Sequence, residues 1–290
     1  MPDLTPALLE LIRLTSTDLP PAVENRLRTA LQAEEAGSAA CTTLKTILEN
    51  VALARSHSTP ICQDTGLPMF YVRYPAAHSP ASLRKQIRAA VAEATTHSYL
   101  RPNAVDALSG RNSGNNLGDS HFPAIFFQES DDETLTVDLM LKGGGCENVG
   151  AQYALPNARL KAGRDLDGVR KTVLDAVCRA QGEGCAPGFI GVAIGGDRSA
   201  SYLASKEALL RPLDAANPEP VLAAMEERIT AEANQLGIGP MGFGGKTTLL
   251  GTSIVSTFRL PASYFVSISY MCWAFRRRRM TIEGNRVCYE

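Results

Sequence analysis

Residues Thr134 to Leu141 alternate with period two, which places Leu135, Val137, Leu139 and Leu141 on one face and Thr136, Asp138 and Met140 on the other. This pattern requires a half-buried strand, because successive strand side chains point to opposite sides of a sheet. The strand runs straight into Lys142-Gly143-Gly144-Gly145-Cys146, and a second apolar run, Phe189 to Ile194, ends in Gly195-Gly196. The chain must therefore build sheets whose strands stop at glycine turns, where backbone can pass close to other groups. Two further strands are expected near Thr252 to Phe258 and over Tyr264 to Tyr270, the latter with Val266, Ile268 and Tyr270 opposite Ser267 and Ser269.

Helical spacing dominates the N-terminal third, in Leu8, Leu9, Ile12 and Leu14 and again in Leu44, Ile47, Leu48, Val51 and Leu53. A helix is expected from Pro80 to about Thr96, with proline acceptable in its first turn. Others cover Val169 to Val177 and run from Val221 through Met225 and Ile229 to a stop at Gly237. Helices and strands mix without a βαβ rhythm, so the expected class is α+β with mostly antiparallel strands. The chain has 290 residues, 44% of them hydrophobic, and reads as one domain, residues 1–290, helical over about 1–98 and mixed beyond. Arg101 to Pro123 is rich in Asn, Gly, Ser and Asp without periodicity, and a loop of that length is a candidate site wall.

With 29 basic and 30 acidic residues the net charge is −1, so no global field argues for nucleic acid or an anionic membrane as partner. Neither a signal-like N-terminus nor an apolar run of membrane-spanning length is present, and a cytoplasmic location is expected. Two nucleotide motifs fail in detail. A P-loop ending at Gly244-Gly245-Lys246-Thr247 would need glycine at Pro240, and Gly237-Ile238-Gly239-Pro240-Met241-Gly242 follows a helix rather than a strand. The glycines there still suggest a nest of N–H groups for a small carboxylate. The four histidines are too scattered for a zinc hydrolase, and no G-x-S-x-G elbow exists.

Seven cysteines, an odd number without a secretion signal, argue against a disulfide framework. Cys62, Cys185 and Cys272 stand at element ends in polar or glycine-flanked surroundings, where metal binding and inert loop thiols are both open readings. Cys41 and Cys178 fall in helical segments beside alanines and are expected to be small buried hydrophobes, with Cys288 an incidental thiol near the end.

Five motifs in order decide more. Cys62-Gln63-Asp64-Thr65-Gly66, Lys142-Gly143-Gly144-Gly145, Gly184-Cys185-Ala186-Pro187 before an apolar strand, the Gly237-to-Lys246 glycine loop and Ser269-Tyr270-Met271-Cys272-Trp273-Ala274 resemble the class I fumarase and tartrate dehydratase family. The resemblance covers the chain from about residue 40. It implies a [4Fe–4S] cluster held by Cys62, Cys185 and Cys272, with one iron lacking a protein ligand and acting as a Lewis acid. It further implies that Asp64 is the catalytic acid or base, although a bland turn role fits that residue as well. Gln63, Arg101 and Gly145 would bind a small dicarboxylate, Arg101 through its bidentate fork.

By the same resemblance, the chain corresponds to an α subunit or N-terminal domain that works with a β subunit or C-terminal domain, in a homo-oligomer of αβ units. Cys146 follows the glycine run where fumarases of this family often carry serine, and Glu147-Asn148 is fumarase-like. Fumarate and malate are therefore the expected substrates, with tartrate, mesaconate or a non-catalytic iron–sulfur sensor as alternatives. The run Arg276 to Arg279 reads either as a solvated basic edge or as an ion-paired seam against the partner domain.

Overall fold

The computed structural model describes residues 3–284 and 286–290. Its elements in chain order begin with α1 (Thr5–Thr17), α2 (Pro21–Ala33), α3 (Ala39–His57), β1 (Leu67–Pro75), α4 (Pro80–Thr96), β2 (Ala124–Ser130) and β3 (Leu135–Lys142). They continue with α5 (Gly144–Asn148), β4 (Ala151–Ala154), α6 (Leu166–Ala180), β5 (Gly188–Ile194), α7 (Arg198–Glu207) and α8 (Pro220–Asn234). Last come β6 (Leu249–Ser256), β7 (Phe265–Met271), β8 (Arg277–Glu283) and β9 (Arg286–Tyr289). The class is α+β with mixed sheets, and most strand pairs among the described residues are antiparallel. No helix among the described residues is long and apolar enough to cross a membrane.

The chain divides into two compact units. The first comprises Met1–Pro20, Glu49–Gly144 and Arg276–Glu290. It contains a five-stranded sheet ordered β2-β1-β3-β8-β9, in which β1 and β2 are parallel. One face carries Phe70, Val72 and Tyr74 of β1 and the odd-numbered residues Leu135 to Leu141 of β3, and α1 and α4 cover it with Leu8, Leu11, Ile12, Leu83, Ile87 and Val91. The period-two pattern that predicted β3 is thus cashed in as one side of this core. Strand β1 lies inside the stretch read as helical; Pro68 and Pro75 and its polar residues obscured the alternation.

The four arginines are not a solvated edge. Arg277 opens β8, an interior strand, and Arg276 is 1% exposed with its carbonyl accepting the Leu141 N–H. Arg279 makes a two-pronged pair with its cross-strand neighbour Asp138 at 2.8 and 2.9 Å, while Arg278 faces Asp18 at 3.6 Å. Arg278 and Arg279 thus have acidic partners within the same unit, whereas Nε and Nη1 of the buried Arg276 guanidinium have no hydrogen-bond partner among the described residues.

The second unit, Pro21–Leu48 and Gly145–Phe275, has a four-stranded sheet ordered β4-β7-β5-β6. Val169, Val173 and Val177 of α6 and Leu222, Met225 and Ile229 of α8 pack on one face against Ile190, Val192, Ile254, Val266 and Ile268. The serine face of β7 is buried too. Helix α7 covers it, with the Ser201 and Ser267 hydroxyls 2.7 Å apart, so β5 is buried along its whole length. That approach needs a glycine, because a Cβ on Gly191 would lie 2.0 Å from the Ser205 carbonyl oxygen.

Gly191→Ala should cost about 2–4 kcal/mol of unfolding free energy, since backbone must give way rather than a flexible side-chain end. Urea denaturation checks this, and wild-type stability would contradict the packing. A second outcome concerns pH. Burial, and then the Asp175 carboxylate that accepts its hydroxyl at 2.7 Å, raise Tyr153 from 10.0 to about 12. A pKa raised on folding gives stability that is complete below about pH 10 and lost as pH rises through about 12. Tyr153→Phe should lower stability at neutral pH by about 1 kcal/mol and flatten the alkaline fall, as read from urea midpoints across that range.

Candidate active site

In the first unit the Cys62 loop follows the end of α3. Ile61 moors it, donating its N–H to the Ser16 carbonyl at 3.0 Å and accepting from the Asn50 amide at 2.8 Å. Cys62 is half-buried and Gln63 exposed. The Asp64 carboxylate accepts the Gly66 N–H at 3.0 Å through Oδ1 and the Gly144 N–H at 2.7 Å through Oδ2. Asp64 therefore fills the turn role the sequence allowed, and in doing so it is aimed beside the glycine run. Gly66 has φ +79°, and a Cβ there would meet the Lys142 backbone at 2.7 Å. No other residue permits β1 to start so close to the end of β3.

Arg101 is exposed and held from behind. Its N–H donates to the Thr65 hydroxyl at 3.0 Å, and the Asn103 amide donates to the same oxygen at 3.1 Å. Buried Asn116 closes the circuit, accepting the Asn103 N–H at 2.6 Å and donating to the Arg101 carbonyl at 2.8 Å and to the Thr95 hydroxyl at 3.0 Å. The 101–123 loop also borders an open cleft of about 790 Å³ lined by Asp106, Arg111, Asn112 and His121 among others. The structure thus joins the Cys62-Gln63-Asp64 loop to Arg101 through Thr65. Sequence reasoning missed Thr65, Asn103 and Asn116; the motif containing Thr65 was the only available signal.

The second unit gathers the remaining cysteine segments. Cys185 has φ +56° in the turn between α6 and β5, its N–H bonded to the Gly182 carbonyl at 3.0 Å. Its own carbonyl accepts the Trp273 N–H at 3.3 Å. Cys272, buried just past β7, donates its N–H to the Cys146 sulfur at 3.2 Å. Gly145 lies against the same turn, since a Cβ there would sit 3.5 Å from the Glu183 carbonyl oxygen. Tyr270 wedges between these segments, because Cβ atoms on Gly184 and Gly188 would lie 2.6 and 2.3 Å from its ring. Burial, followed by the charges of Cys272, Cys146 and Cys185, pushes the Tyr270 hydroxyl far above the usual phenol range.

The glycine loop does not offer the carboxylate nest its sequence suggested. The Lys246 N–H donates to Glu34 Oε1 at 2.9 Å and Oε2 at 3.0 Å, and the Thr247 N–H donates to Oε1 at 3.0 Å. Met241, Gly242, Phe243 and Gly244 give their N–H groups to carbonyls of this same unit, Met241 to Ala186 beside Cys185 at 2.8 Å. The loop is a prop for the Cys185 turn, and Glu34 is its anchor. Of the other cysteines, Cys41 is buried as expected, whereas Cys178 is exposed on α6, because the apolar stripe of that helix runs through Val169, Val173 and Val177.

Residues 5–281 match the family model for fumarate hydratase (Fumerase). The chain belongs to the fumarate hydratase (Fumerase) family. It is 49% identical over 288 residues to the Geobacillus stearothermophilus protein named "Putative fumarate hydratase class I", covering 98% of this chain and 56% of that protein. It is 31% identical over 287 residues to the L(+)-tartrate dehydratase subunit alpha of Escherichia coli K12, covering 97% of this chain and 91% of the relative. The chain thus spans little more than half of the first of these fumarate hydratase family proteins and nearly all of the second.

Among the described residues no three His, Cys, Asp or Glu side chains form a group able to hold a single metal ion. A cluster poses a different requirement, since thiolates that ligate separate irons do not converge on one point. The soft cysteine donors of this fumarate hydratase family chain suit iron–sulfur ligation, and Cys185 and Cys272 are tied into one hydrogen-bonded patch. Glu34→Ala would leave two N–H groups without their charged acceptor. Amide hydrogen exchange at Lys246 and Thr247 should accelerate and stability fall by about 2–3 kcal/mol; unchanged protection would refute the anchor.

Proposed function

We propose that this chain is the cluster-bearing half of an iron–sulfur hydro-lyase that interconverts fumarate and L-malate, working with a β subunit or a C-terminal domain. The observation that carries the reading is the 49% identity along 98% of the chain to a protein named as a class I fumarate hydratase. The lower identity of 31% to a tartrate dehydratase α subunit favours fumarate over tartrate, and the name of that relative as an α subunit supports a partner chain.

Cys62, Cys185 and Cys272 would hold the [4Fe–4S] cluster, which when bound supplies a Lewis-acidic iron for the substrate hydroxyl and a carboxylate. Arg101 binds a second carboxylate through its guanidinium, and the Thr65 and Asn116 hydrogen bonds fix its backbone for that task. Gln63 and the Gly145 backbone orient the dicarboxylate. Asp64 moves a proton at the hydroxyl that leaves or adds. The Gly66 and Gly144 N–H groups aim its carboxylate, while each carboxylate oxygen retains a lone pair for the substrate.

After anaerobic reconstitution, the isolated chain should show no robust hydratase activity, and adding its β partner should confer turnover of fumarate at least roughly tenfold faster than of tartrate. In that complex, Asp64→Asn should lower kcat by about a hundredfold or more with a small change in KM. Robust activity of the isolated chain would overturn the partner requirement, a preference for tartrate the substrate, and full kcat in Asp64→Asn the role of Asp64.

A further inference from the structure

Cys146, one of the four cysteines outside the ligand assignment, is 3% exposed in the short helix α5 and lies against the main chain of Cys272. We propose that Cys146 is a positioning residue for the cluster, its sulfur holding the Cys272 peptide so that the Cys272 thiolate is aimed. This rests on the reading above that Cys185 and Cys272 are ligands.

Three contacts around Cys272 leave little slack. Two residues before it, Tyr270 is locked against Gly184 and Gly188. One residue after it, the Trp273 N–H is held by the Cys185 carbonyl at 3.3 Å, so the two ligand segments share a hydrogen bond. At Cys272 itself the N–H ends on the Cys146 sulfur at 3.2 Å, within the normal range for a sulfur acceptor, in a buried site. A buried N–H that loses its acceptor is costly, so without the sulfur the Cys272 peptide would turn toward another acceptor and carry its side chain with it. Alanine removes the acceptor. Serine keeps one. A ligand role for Cys146 makes the opposite prediction, because serine is a poor substitute for an iron-bound thiolate.

The test uses the full chain, reconstituted anaerobically, as wild type, Cys146→Ala and Cys146→Ser. Iron content, the electron paramagnetic resonance spectrum of the dithionite-reduced cluster and the rate of bleaching under a fixed oxygen concentration are measured. Cys146→Ala should keep the wild-type iron content, bleach about three- to tenfold faster, as expected for one lost hydrogen bond, and give a broadened resonance, while Cys146→Ser stays within about twofold of wild type. Cys146→Ala matching wild type in both bleaching and resonance would overturn the proposal. So would iron loss in both variants, which would make Cys146 a ligand. Should Cys146→Ala fail to fold by circular dichroism, Cys146→Ser decides, with wild-type bleaching in favour and rapid bleaching against. A wild-type chain that takes up no cluster defeats the cluster reading itself, an outcome distinct from a cluster that ignores Cys146.

Discussion

The candidate site residues of the first unit depend on one hydroxyl. Thr65 Oγ1 accepts two donors from a loop more than thirty residues away in sequence, the Arg101 N–H and the Asn103 amide. Thr65 is buried and follows Asp64 directly, so this oxygen links the carboxylate turn to the arginine loop without any metal or substrate. A long polar loop would otherwise keep the conformational freedom that its composition allows. Asn116 extends the link to Thr95 at the end of α4, so the loop rests on a regular element.

The second unit solves the same problem with steric contact in place of a hydroxyl. Gly184 and Gly188 let the Tyr270 ring enter a space that any side chain would fill, and the entry fixes the segments on either side. Glu34 props the neighbouring glycine loop, whose Met241 N–H reaches the Ala186 carbonyl. Glycine here serves close approach, and the N–H groups that glycine exposes are consumed by the protein's own carboxylate and carbonyls. Both units use rigid backbone to aim a few side chains.

The sequence made the regular elements legible wherever one periodicity ruled. Strand β3 and helix α4 fall almost where alternation and the proline signal put them, because one buried face dictated their pattern. Strand β1 and the arginine strand β8 were hidden, β1 by its prolines and β8 by charges that pair across the sheet with Asp138. Asp64 was legible as a turn former, and its carboxylate accepts two backbone N–H groups in that role. The contacts of Thr65, Asn116, Glu34 and Cys146 were not legible, since each is made with a partner distant in sequence and nothing in a local pattern names that partner. The exposure of Cys178 was missed because alanine neighbours suggest a buried stripe, while the register of α6 turns that position outward.

The central claim is that this chain presents an open iron to a small dicarboxylate, and Mössbauer spectroscopy of the protein reconstituted with ⁵⁷Fe tests it most directly. Adding L-malate should shift the signal of one iron subsite and leave the remaining cluster irons unchanged, as expected when a hydroxyl and a carboxylate bind the iron that lacks a thiolate. A cluster whose spectrum is identical with and without malate would contradict the account.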